Sequence, residues 1–129
     1  MEGKTAVRTE NAPAPFQGAP YSQAIKAAGL VFVSGQLPLA PGESEMVGSA
    51  IEEQTSQVLD NLEAILTEAG SGVDRIVKTT VFLASLGDFQ GMNSVYAERI
   101  GAIPPARSTV EVAALPSGAL VEIDAIALL

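Results

Sequence analysis

The sequence predicts an α+β fold, a sheet of about six strands with two helices covering one of its faces. Three observations lead there. Residues 50–69 repeat apolar side chains at steps of three and four, the spacing of one helix face, and a shorter stretch after residue 88 does the same. Several short runs rich in Val, Ile and Thr, bounded by Gly and Pro, have the composition of strands. The chain is 47% apolar but only 5% aromatic, so its core must be mostly Val, Ile, Leu and Ala. At 129 residues one domain spanning 1–129 is expected, large enough to bury roughly two-thirds of its unfolded surface.

Lys4 to Thr9 fits a short edge strand, and Asn11 to Pro20 (NAPAPFQGAP) an ordered lead-in loop. Tyr21 to Ala27 and Gly29 to Gln36 read as two strands joined through Ala28-Gly29. In the second, the unbroken run Leu30, Val31, Phe32 and Val33 predicts burial on both faces. Pro38 to Ser49, with its Pro, Gly and Ser, is a loop. Ala50 to Ala69 is the clearest helix, with Ile51, Val58, Leu59, Leu62, Ile65, Leu66 and Ala69 on one face. Ser49 and Glu52 have the spacing of a capping box, and Gly70 can end the helix. Arg75 to Leu83 (RIVKTTVFL) is a strand. Asp88 can cap a second helix whose face is Phe89, Met92, Val95, Tyr96 and Ile100. Arg107 to Ala113 and Leu120 to Leu128 are the last strands, and the short connection Leu115-Pro116-Ser117-Gly118 predicts that they run antiparallel. In the final strand Glu122 and Asp124 share one face, and Val121, Ile123 and Ala125 the other. Two helices cover one face of a sheet and nothing is left for the other, which also carries Val and Ile. A second copy of the chain is the simplest cover, so a homo-oligomer is expected.

Composition excludes several classes of function. Cys and His are absent, which removes disulfides, thiolate nucleophiles, Cys/His zinc sites and imidazole bases. A carboxylate-only metal site would remain, but no DxDxDG-type loop occurs. The net charge of −8 and the scattered Lys and Arg argue against nucleic acid. No apolar run reaches membrane-spanning length. The start, MEGKTAVRTE, has no basic region followed by an apolar core. A cytoplasmic protein without a membrane partner is expected.

Arg107 and Glu122 stand at strand positions inside otherwise apolar runs. A charge there is costly unless paired, hydrogen-bonded or used by a ligand. A guanidinium grips a carboxylate with two parallel hydrogen bonds, and a carboxylate beside it can position water or carry a proton. One reading is therefore a small carboxylated metabolite undergoing proton-transfer chemistry. The other is a structural ion pair between Arg107 and Glu122 across two strands.

Seven ordered blocks resemble the RidA/YjgF family of imine and enamine deaminases: APYSQAI (19–25), VFVSGQLP (31–38), QTSQVLDNLEAIL (54–66), VKTTVFL (77–83), DFQGMNSVY (88–96), PARSTVEVAALP (105–116) and VEIDAIA (121–127). The resemblance implies a chorismate-mutase-like fold with a mixed sheet, and a homotrimer with a cleft between each pair of subunits. It implies hydrolysis of 2-imino acids such as 2-iminopropanoate and 2-iminobutanoate, or their enamine tautomers, to 2-oxo acids and ammonia. These intermediates arise when pyridoxal-phosphate enzymes eliminate water from serine or threonine, and their removal protects such enzymes. No cofactor is implied. The family's carboxylate-binding arginine falls on Arg107 and its acid/base or water-positioning glutamate on Glu122. Pocket residues fall on Tyr21, Ser34 and Asn93, with backbone groups of Gly35 and Thr109 facing the ligand.

The residues also have plainer readings: Ser34 as a strand-end hydroxyl, Tyr21 as a packed aromatic, Asn93 as a helix-to-loop anchor, Asp124 as a solvated or rim residue. Lys78 would serve as a Schiff-base amine only if buried with a depressed pKa. The chain departs from many members in having Thr109 in place of cysteine, Asp124 in place of glutamate, Ala19 in place of glycine, and a shorter span from Asn93 to Arg107. Two other functions compete with the deaminase. One is a non-catalytic small-carboxylate-binding trimer acting as a metabolite sensor or partner regulator. The other is an RNA-acting or chaperone role, of which the acidic balance and missing His disfavour RNA cleavage.

Overall fold

A computed structural model describes residues 3–129. Met1 and Glu2, part of the stretch read above as lacking a secretion signal, lie outside the described residues. Among the described residues there are six strands, β1 (Thr5–Val7), β2 (Ala24–Ala27), β3 (Leu30–Gln36), β4 (Ile76–Leu83), β5 (Ala106–Glu111) and β6 (Val121–Leu128), and two α-helices, α1 (Ile51–Glu68) and α2 (Phe89–Arg99). Single helical turns at Phe16–Gly18 and Pro116–Gly118 border the site described below. None of the described helices is long and apolar enough to cross a membrane.

One sheet runs in the order β1-β2-β3-β6-β4-β5. Only the β4–β5 pair is parallel, and α2 makes that crossover. The β2–β3 hairpin turns through Ala28 and Gly29, both at positive φ (55° and 78°), the primed two-residue geometry that matches strand twist. β5 and β6 do run antiparallel, as their connection predicts, but β4 lies between them.

Helix α1 and its C-cap Ala69 bury all seven apolar positions assigned to the inner face. Gln54, Thr55 and Asn61 are buried there too, and the first and last make long-range hydrogen bonds. Asn61 donates to the carbonyls of Leu37 (3.0 Å) and Leu39 (2.9 Å), and Gln54 accepts from Leu120 N. These bonds tie the loop after β3 and the lead-in to β6 onto the helix. The start of α1 corrects the expected cap. Ala50 is the N-cap, and Glu53, not Glu52, accepts from the amides of Ser49 and Ala50. Gly70, at φ 86°, closes the other end, with Ser71 N donating to Leu66 O and Gly70 N to Thr67 O, a Schellman arrangement. Asp88 precedes α2 as expected, but its side chain makes no cap hydrogen bond.

The expected burial of Leu30 to Val33 on both faces does not hold within one chain. Val31 and Val33 are buried under the helices, while Phe32 is 41% exposed on the opposite face. Phe32 pairs with Ile126, and Phe82 and Val110 lie on the same open face. The helices thus cover one side of the sheet and leave the other bare, with Val110 43% exposed. Three strands are clearly shorter than expected: β1 spans only Thr5–Val7, β2 begins at Ala24, leaving Tyr21 to Gln23 in the loop, and β5 ends at Glu111.

Candidate functional site

Glu122 sits on the open face of the sheet, opposite Phe82. Its neighbour across the sheet is a β-bulge in β3. Val33 pairs with Ala125 and Gln36 with Ile123, so Ser34 and Gly35 together face the single residue Asp124. Bulges of this kind re-aim side chains near active sites. The Glu122 carboxylate lies against Gly35, and a Cβ built there would stand 2.9 Å from the Glu122 carboxyl carbon. That close approach is why glycine occupies a strand interior here.

Ser34 Oγ donates to Ser22 O at 2.6 Å, which leaves its lone pairs to accept from a ligand N–H. Tyr21 Oη accepts from Phe16 N at 2.6 Å, which leaves its O–H free to donate. Tyr21, Ser34, Gly35 and Glu122 line one open cavity of about 390 Å³, together with Phe16, Ala19, Leu37 and Pro116. Burial lifts the Glu122 carboxyl above its ordinary value of 4.5, and the charge of Asp124 on the same strand face lifts it further. Asp124 is held in place by accepting from Thr80 N at 3.1 Å.

Arg107 is elsewhere. It pairs with Thr79, whose neighbours on that face are buried beneath the helices, so it points to the opposite side of the sheet from Glu122. One strand, β4, also separates their two strands, roughly 10 Å of backbone at about 4.8 Å per strand. The structural ion pair between them is therefore not formed, nor does Glu122 stand beside Arg107 within one chain. Instead the guanidinium lies over the rings of Tyr96 (4.8 Å) and Phe89 (5.7 Å). Tyr96 is fixed in turn by a 2.7 Å hydrogen bond between its hydroxyl and that of Thr79. Asn93 falls on the same helical stripe as Phe89 and Tyr96, and Thr109 shares the Arg107 side of β5. Among the described residues the ion pairs are those of Arg99 with Asp60 and Glu63, so the Arg107 side chain carries a charge with no carboxylate on it.

The seven predicted residues thus form two groups. Tyr21, Ser34, Gly35 and Glu122 surround a cavity on the open face. Arg107, Asn93 and Thr109 cluster at the β5 edge beside α2. Sequence reasoning missed the supports of both groups: the rings of Phe89 and Tyr96 under the arginine, and the apolar wall of Phe16, Leu37 and Pro116. The wall has a sequence signal, since Phe16-Gln17-Gly18-Ala19 and Pro116-Ser117-Gly118-Ala119 share a Gly-Ala ending. Both turns carry a non-glycine residue at positive φ, Gln17 at 55° and Ser117 at 52°. Among the described residues no group of three or more His, Cys, Asp or Glu is placed to hold a metal ion.

The sequence profile of the endoribonuclease L-PSP family matches residues 9–129. The chain belongs to the RidA/YjgF (Rid) family. It is 50% identical over 126 residues to Reactive Intermediate Deaminase A, chloroplastic, of Arabidopsis thaliana, covering 98% of this chain and 66% of that protein. A RutC family protein of Pyrococcus horikoshii is 49% identical over 124 residues, 96% of this chain and 97% of that one. Among solved structures, the Rid family protein YyfA of Yersinia pestis superposes with a TM-score of 0.92 at 48% identity, covering 98% and 100% of the two chains. TdcF of E. coli, solved with bound serine, gives 0.89 at 37% identity over 97% and 98%. The chorismate-mutase-like α+β fold that the sequence blocks imply is the fold of this Rid protein.

Proposed function

We propose that this Rid protein is a cytoplasmic enamine/imine deaminase. It would hydrolyse 2-imino acids such as 2-iminopropanoate and 2-iminobutanoate to 2-oxo acids and ammonia, at sites completed by a second copy in a homotrimer. The observation that carries the reading is the separation of Arg107 from Glu122. One chain offers an unpaired guanidinium at one edge and a proton-loving carboxylate in a cavity on the other face. Each half lacks what the other supplies. The bare sheet face with Phe32 and Val110 gives a second copy an apolar surface to cover, and a cleft between copies brings unlike halves together.

In that cleft the partner's guanidinium holds the substrate carboxylate by two hydrogen bonds, and Tyr21 O–H donates to it. Glu122 takes a proton from water as the water oxygen adds to the imine carbon. Glu122 then gives that proton to the nitrogen of the carbinolamine formed from the protonated imine, and takes the carbinolamine hydroxyl proton as the C–N bond breaks, which releases the 2-oxo acid and ammonia. Ser34 Oγ accepts from the nitrogen throughout. A carboxyl whose pKa is lifted toward neutrality is better matched to giving and taking this proton, a contribution of about 10²–10⁴ in rate.

The raised proton affinity of Glu122 supports proton transfer, which a carboxylate-binding trimer without turnover does not require. The RNA-cleaving activity in the family's name finds little support in a chain of net charge −8 with no His. The bound serine of the TdcF relative accords with a site that takes small amino-acid-like carboxylates. The test generates 2-iminopropanoate and 2-iminobutanoate with an amino-acid oxidase and traps unreacted imine with semicarbazide. Less semicarbazone with the wild type, restored to control levels by Arg107→Ala or Glu122→Ala, is the expected result. No effect of the wild type on either imine would refute the deaminase.

A further inference from the structure

The Glu122 cavity has a polar half and an apolar half. Tyr21, Ser34 and Glu122 provide the first, and Phe16, Leu37 and Pro116 the second. The chemistry of a 2-imino acid uses only the first: its carboxylate, nitrogen and C2 are all polar or reacting atoms. In one chain the space is about 390 Å³ and open on one side, and a substrate whose polar atoms meet the first half places its C2 substituent beside the second. Phe16 is the largest side chain of the apolar half. It is held in three ways. Its amide donates to Tyr21 Oη, its ring packs on the buried pair Leu37 and Leu39, and its turn keeps Gln17 at φ 55°. A non-glycine residue in that region costs of order 1–3 kcal/mol and persists only where the surroundings enforce it.

We infer that Phe16 is the specificity-determining residue of this site, its ring setting how long an apolar substituent the 2-imino acid carries on C2, with Tyr21 as the residue that positions it. The inference rests on the proposed site, and it concerns how that site ranks 2-imino acids with short apolar chains against those with branched or longer ones. Such compounds are the products of amino-acid oxidases and dehydrogenases acting on the matching apolar amino acids.

The experiment compares kcat/KM for 2-iminopropanoate and for the leucine-derived 2-imino-4-methylpentanoate, in the wild type, Phe16→Ala and Phe16→Trp. Phe16→Ala is expected to raise the ratio of the larger to the smaller substrate by about tenfold or more, and Phe16→Trp to lower it by a similar factor, the scale on which apolar pockets discriminate. Tyr21→Phe, which removes the acceptor of the Phe16 amide, should move the ratio in the direction of Phe16→Ala. Equal losses on both substrates in all three variants would show a merely structural Phe16 and overturn the inference. Calorimetric binding of pyruvate and 4-methyl-2-oxopentanoate separates the two claims. If the wild type turns over neither imine, the deaminase reading falls, while the affinity ratio of these two oxo acids still tests Phe16. A ratio that Phe16→Ala leaves unchanged, or no binding of either acid, overturns it.

Discussion

Replacing Gly35 by Ala should disable the site without harming the fold. Gly35 lies in the β3 bulge, and its φ is outside the left-handed region, so alanine fits the backbone. The new Cβ would stand 2.9 Å from the Glu122 carboxyl carbon. The nearer Glu122 Oε2 would overlap it outright, so the carboxylate must move by about 1 Å to restore ordinary contact. The obstacle is the end of a flexible side chain, which can swing aside into the cavity at little cost. Gly→Ala at a compatible position gains about 0.4–1 kcal/mol by restricting the unfolded chain, so net stability should change by less than about 1 kcal/mol. Catalysis depends far more steeply on position, with a 1 Å misplacement costing up to roughly 10²-fold. Thermal melting and the semicarbazide assay should be run together, with Glu122→Ala as the comparator. The expectation is an unchanged melting temperature and a loss of kcat/KM approaching that of Glu122→Ala. Full activity would refute the placement of the Glu122 carboxylate, and a collapse in melting temperature would show that Gly35 serves the fold.

Glu122→Gln should show the cost of its half-buried charge. The folded-state pKa lies above the ordinary 4.5, so the wild-type carboxyl favours folding most below that value and loses this advantage as pH rises through its folded pKa. The variant should therefore melt higher than the wild type near neutral pH, with the difference vanishing by about pH 4; a variant equal to the wild type at every pH would contradict the raised proton affinity. The same substitution should abolish turnover, and the wild-type pH–rate profile should rise with a pKa above 4.5. Arg107→Lys keeps the charge over Tyr96 but loses the planar fork. Melting should shift little, since lysine keeps a cation over the ring and such a contact is worth on the order of 1 kcal/mol, while kcat/KM should fall by roughly 10²-fold because the two-pronged grip on the substrate carboxylate is lost.

Much of this fold was readable because period and punctuation agree. In α1 the apolar stripe, Gly70 and the seven buried positions point to one helix, and the cap missed by one residue because Ser49 and Ala50 both precede acidic side chains. Strand existence was equally legible, but strand order was not. Nothing local in VEIDAIA says that β6 inserts between β3 and β4, because its partners are set by packing against α1 and not by the turn that precedes it. The consequence for the site was large. The alternation in ARSTVE contains too few apolar residues to say which side of β5 is buried, so the faces of Arg107 and Glu122 are related only through the register with β4. The candidate site residues came from the family blocks, while their division between two surfaces needed the sheet. Phe16 escaped notice because an aromatic in a loop carries no periodicity, and its role depends on the Tyr21 hydroxyl meeting its amide.

The central claim is that Arg107 and Glu122 act together only across two copies of the chain. Co-expressing Arg107→Ala and Glu122→Ala chains, each inactive alone, tests it directly, with mixed assembly checked by native mass spectrometry against the 13.2 kDa chain mass. Random mixing of equal amounts leaves about a quarter of the interfaces of a closed ring with both groups intact. The account predicts imine hydrolysis at about that fraction of the wild-type rate. Mixed oligomers that remain as inactive as their parents would contradict it.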